Sequence, residues 1–99
     1  MSYLKRYDIV FSSHQSISVP ENAEILDAVL AGGGYPAIIY NDPQEGYSTK
    51  SLVVHVIECN KYSHVPSPNI GYKLKFLNTI LDVSRQYPPV YAVFIEVPE

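Results

Sequence analysis

Polar and apolar residues alternate along much of this chain, and the alternation predicts strands. Residues 3–11 are rich in Tyr, Ile, Val and Phe, and Ser12-Ser13 closes the run. Residues 15–19 put Ile17 and Val19 on one face, the two-residue period of a half-buried strand. Ser12, Ser13 and His14 between these runs read as a hairpin loop, and Pro20-Glu21-Asn22 as a turn. Over residues 23–31 the signals conflict. Ile25, Leu26, Val29 and Leu30 fit a helix face that Gly32 would cap, whereas the alternation of Ile25, Asp27 and Val29 fits a strand less well. Residues 37–40 form a short apolar strand that Asn41-Asp42-Pro43 ends. The segment 52–58, LVVHVIE, is β-branched and nearly continuous, which predicts a strand in the interior of a sheet.

Residues 60–69 are a loop with two prolines, and from Ile70 the pattern splits. Ile70, Tyr72, Leu74 and Phe76 alternate with Gly71, Lys73 and Lys75, as in a strand. Phe76, Leu77, Ile80, Leu81, Val83 and Ser84 hold helical spacing, with Tyr87 one turn on. This predicts an amphipathic helix near residues 76–86, ended by Pro88-Pro89. Residues 90–97, VYAVFIEV, return as a second strong strand. The expected fold class is α+β: a mostly antiparallel β-sheet with that one helix packed over its face.

The segments "ISVPENAEIL" (residues 17–26) and "YPAIIYNDP" (residues 35–43) together resemble a family of small phage and prophage proteins without an established activity. Its members carry a Pro-x-x-Ala-Glu-Ile-Leu stretch and then a Pro-led apolar strand ending in Asp-Pro. His64-Val65-Pro66, Ile70-Gly71 and Val93 to Glu96 stand where that family has a Gly-His-Pro-like loop, a Tyr-Ile-Gly segment and a last apolar strand. This chain has extra residues before its last strand, and they coincide with the proposed helix. The resemblance implies a strand at 24–30, a turn at Gly32 to Gly34 between antiparallel strands, and a phage-like setting.

Composition narrows the picture. Residues 1–99 fit a single domain. The formal net charge of −3 argues against long nucleic acid as a partner. The seven Lys and Arg are scattered, with Lys73 and Lys75 the densest cluster. A lone cysteine, Cys59, rules out an internal disulfide framework and suits a reducing compartment. The start, MSYLKRYD, lacks a signal-peptide core, and no run matches a membrane span. These features predict a cytoplasmic protein, in the host cell if phage-encoded, with no membrane partner.

The catalytic motifs lack their contexts. Gly32 to Gly34 precedes Tyr35-Pro36 and a strand, not the helix N-terminus of a phosphate loop, so a hairpin turn needing positive φ is the simpler reading. His55, Cys59 and His64 do not have the spacing of a zinc site, and the remaining ligand would have to be Glu58 or the distant His14. Cys59 beside a His lacks an identifiable orienting group. The expectation is no catalytic residue, no metal, no cofactor and no enzyme.

Nine tyrosines in 99 residues carry what functional signal remains. Flat aromatics with adaptable hydrogen-bonding neighbours recur at binding surfaces. The candidate ligand-binding residues are Tyr35, Tyr40, Tyr47, Tyr62, His64, Asn69 and Tyr72. The expected function is a non-enzymatic phage-type binding protein, a counter-defence factor that sequesters a small nucleotide-like signal in a homo-oligomer. Two alternatives stand beside it: an inhibitor of a host protein by direct contact, and a minor structural component of the virion.

Overall fold

A computed structural model describes residues 2–12, 14–44, 46 and 48–99. Seven strands follow one another: β1 (Tyr3–Asp8), β2 (Gln15–Pro20), β3 (Glu24–Leu30), β4 (Pro36–Asp42), β5 (Thr49–Glu58), β6 (Tyr72–Leu81) and β7 (Val90–Pro98). They make two antiparallel sheets, ordered β1-β4-β3 and β2-β5-β7-β6. The inner faces meet in one core that takes Ile38 and Tyr40 from β4, Ile17 and Val19 from β2, Leu52, Val54 and Val56 from β5, and Val93 and Ile95 from β7. The fold is all-β among the described residues. The expected α+β class, with one helix over one sheet, is therefore corrected: a second sheet supplies the cover.

The proposed helix at 76–86 is strand β6 followed by a turn. A bulge explains the misleading period. Phe76 pairs with Phe94 and Asn78 with Val93, so Leu77 is the extra residue. Leu77 packs against the core from the bulge itself and Ile80 is buried after it, three positions on, as in a helix. Past β6, the Asp82 carboxylate accepts from Ser84 N–H and Oγ at 3.2 and 2.5 Å, a local turn that replaces helical bonding. Ser84 Oγ, and then its N–H and Arg85, hold Asp82 below the usual carboxylate range despite burial.

Segment 24–30 is strand β3, as the resemblance implied, and it pairs with β4 through the glycine turn. Ala31 N–H donates to Tyr35 O at 2.8 Å, and Gly33 and Gly34 adopt φ of 88° and 81°. Open space surrounds the Cβ positions of both Gly32 and Gly34. Gly34→Ala should therefore lose about 1 kcal/mol of stability through backbone strain alone, while Gly32→Ala should change little; urea unfolding of both variants checks this.

The expected hairpin between the first two strands does not form. β1 joins the first sheet and β2 the second, and the Gln15 side chain pins the corner by bonding Val10 N–H and O at 3.1 and 2.8 Å. On the opposite side the sheets are stitched by Asn78 Nδ2 donating to Ala28 O at 2.9 Å. No helix among the described residues is long and apolar enough to cross a membrane.

Candidate functional site

Strand β5 changes partners along its length. Thr49 to Val54 pair with β2, and Val54 to Glu58 pair with β7. Beyond the Val54–Ile95 pair, β7 runs on to Pro98 against β6 alone. The second sheet is thus split at one end, and clefts lie on either side of the split.

The inner cleft, about 280 Å³, opens between the two sheets. Its walls include Ile25, Leu52, Ile95 and Val97, and Lys50 and Lys75 line it as well. Register explains the two cations. Lys50 stands opposite buried Val19 and Lys75 opposite buried Ile95, so both occupy inward-facing positions at the open end. Both are exposed, and neither belongs to an ion pair among the described residues. Their butyl stems continue the apolar wall while the ammonium groups stay in water. Two acidic residues, Glu24 and Glu96, also line this cleft.

On the outer side, a cleft of about 190 Å³ is lined by Ser51, Val53, Asn69, Tyr72 and Glu96. Glu96 is 5% exposed and saturated: Oε2 lies 2.7 Å from His55 Nε2, and Oε1 accepts from Asn69 N–H at 2.9 Å. Burial pushes the Glu96 carboxyl up, but Asn69 N–H and His55 together hold it below the usual value. These contacts anchor the segment 59–71. It must cross β7 because β5 and β6 flank that strand and run parallel to each other.

The sequence-predicted site residues scatter. Asn69 and Tyr72 come together at the outer cleft, joined by Tyr72 N–H donating to Asn69 O at 3.0 Å, and Tyr72 also touches the inner one. His64 lines a separate cavity under the crossing segment, with Cys59 and Phe94. Tyr62 is exposed beneath Lys61 Nζ, 5.0 Å from its ring centroid. Tyr35 is exposed on the glycine hairpin, away from these clefts. Tyr40 is a correction: it is 8% exposed, faces the core from β4, and offers no ring to a ligand. Tyr47 lies outside the described residues.

Lys50, Lys75 and Glu96 were not singled out in the sequence as candidates, and His55 was weighed only with Cys59 and His64. Strand alternation from Tyr72 to Phe76 marked Lys73 and Lys75 as sharing a face, but nothing local tied that face to Lys50. A fourth depression, at Pro20, Asp42, Gln44 and Thr49, has its charge spent. Asp42 accepts from Lys5 Nζ at 2.8 Å and from Gln44 N–H and Nε2, both at 2.9 Å. No group of three or more His, Cys, Asp or Glu able to hold a metal ion occurs among the described residues. Comparison with protein-family models, with curated proteins and with solved structures gives no match.

Proposed function

We propose that this chain is a non-enzymatic binding protein of phage type that retains a small, anionic, nucleotide-like ligand in the inner cleft. The observation that carries the reading is the convergence of Lys50 and Lys75, from different strands, on one apolar-walled opening. Lysine ammonium groups pair with phosphate as point charges. The half-buried Ile25 and Val97 offer a flat base an aliphatic wall. The net charge of −3 repels long polyanions, while the local lysine pair attracts a single phosphate group. In the phage setting, retention of a nucleotide signal would silence a host defence.

Calorimetric titration with inorganic phosphate and a panel of nucleoside monophosphates tests this. At least one nucleotide should bind more tightly than phosphate. Lys75→Ala should weaken it at least tenfold, since a charge-assisted contact contributes about 1.5–3 kcal/mol. A panel without any binder would refute the reading.

A second reading, inhibition of a host protein by direct contact, is favoured by one feature. Phe76, Leu81 and Val90 leave 53%, 46% and 38% of their surfaces exposed, with Leu81 paired directly to Val90. Loss of the biological effect in Phe76→Ser/Leu81→Ser, with nucleotide binding intact, would transfer the function to that face.

A further inference from the structure

The geometry points to a transition-metal site at the cross-strand pair His14 and His55, on the outer face of the second sheet. Gln15 pairs with Val54, and antiparallel register steps one residue back on β2 for one forward on β5. His14 therefore stands opposite His55 just before β2 begins. Their rings stack with centroids 5.4 Å apart and planes 14° from parallel. Two imidazoles on one tetrahedral ion, with nitrogens about 2.0–2.1 Å from the metal, place their ring centres about 5 Å apart. The present spacing already meets that demand. Parallel rings cannot both aim at one ion, so one must turn, and His14 is exposed enough to do so.

The second observation is how His55 is held. It is 7% exposed, and its Nε2 faces the buried Glu96 carboxylate at 2.7 Å. An ionised carboxylate only accepts, so Nε2 carries the proton and donates. In the neutral ring the lone pair then sits on Nδ1. No buried side-chain nitrogen or oxygen among the described residues lacks a hydrogen-bond partner, and Nδ1 has none among them. Nδ1 keeps its lone pair without a hydrogen-bond partner among the described residues, which leaves it available to an ion. A carboxylate bound to the far nitrogen of a histidine is the usual support behind a metal-ligating imidazole, fixing both tautomer and orientation.

Two neutral imidazoles suit Cu²⁺, Ni²⁺ or Zn²⁺, with water completing the coordination. With two protein ligands the site is weaker than a closed four-ligand zinc site. It involves neither lysine of the inner cleft.

Calorimetry of the purified protein with Cu²⁺, Ni²⁺ and Zn²⁺ tests the inference, with NMR following the histidine ring protons. One ion per chain should bind, Cu²⁺ most tightly, with the His14 and His55 resonances broadened or shifted. His14→Gln, an exposed change that leaves the core intact, should weaken binding at least tenfold. His64→Gln, on the separate crossing segment, should not alter it. Absence of binding by all three ions, or equal binding by His14→Gln and the unaltered protein, would overturn the site.

Discussion

Replacing Glu96 with alanine is expected to lower the unfolding free energy by about 3 kcal/mol. That is a large share of the roughly 5–15 kcal/mol that holds a small domain together. The truncation leaves His55 Nε2–H and Asn69 N–H without their acceptor inside the fold. It also cuts the attachment of the 59–71 crossing segment, so hydrogen exchange should speed up there first. The double variant His55→Leu/Glu96→Leu should recover part of the loss, because apolar replacement of both partners removes the desolvation cost along with the bond. A double-mutant cycle by urea unfolding measures the coupling.

The same carboxylate sets an acid limit. Glu96 in the fold titrates below the ordinary glutamate value of 4.5, so its contribution is complete above that value. The contribution is lost as pH falls through the folded-state pKa, where the native carboxylate must take up a proton. Asp42 and Asp82 are also held below their ordinary value of 3.8 and act in the same direction. For Asp42 the largest cause is the hydrogen bond from Lys5. Glu96→Gln should therefore show a flatter loss of stability than the unaltered protein between neutral pH and about pH 3. Parallel curves would remove Glu96 from the acid response.

Ile38→Ala should cost about 3 kcal/mol. Ile38 is fully buried in β4, the centre of the first sheet, where it pairs with Tyr7 on one side and Ala28 on the other. Its side chain points at the second sheet, so truncation opens a void between two sheets that cannot close over it. Its neighbour Ile39 is half-buried on the opposite face, and Ile39→Ala should cost only about half as much, since less apolar area returns to water. Equal costs at both positions would contradict the face-to-face packing.

Several elements were legible before folding because their evidence is local. The β-branched run at 52–58 and the apolar run at 90–97 are strands β5 and β7, adjacent in the larger sheet. The three glycines between apolar runs mark a turn, and positive φ at Gly33 and Gly34 is what they supply. The conflict over residues 23–31 has a similar cause to the error at 76–86. A bulge between Ile25 and Asp27 interrupts the two-residue period of β3, just as Leu77 interrupts that of β6. One extra residue in a strand turns a spacing of two into three, and a spacing of three imitates a helix.

The site was less legible. Tyrosine content pointed to seven residues, of which Asn69 and Tyr72 share a cleft and Tyr40 serves the core. Local apolar patterning by itself marked β2, β5 and β7 as strands, because pleat periodicity is a property of neighbouring residues. Only the tertiary structure decided that the strands divide between two sheets and that β5 changes partner at Val54. It alone put Lys50 and Lys75 on one cleft, His14 beside His55, and Glu96 within reach of both His55 and Asn69. Those meetings depend on register and sheet assignment. Both are settled by burying one apolar face against another across long stretches of chain, and no local pattern encodes the outcome.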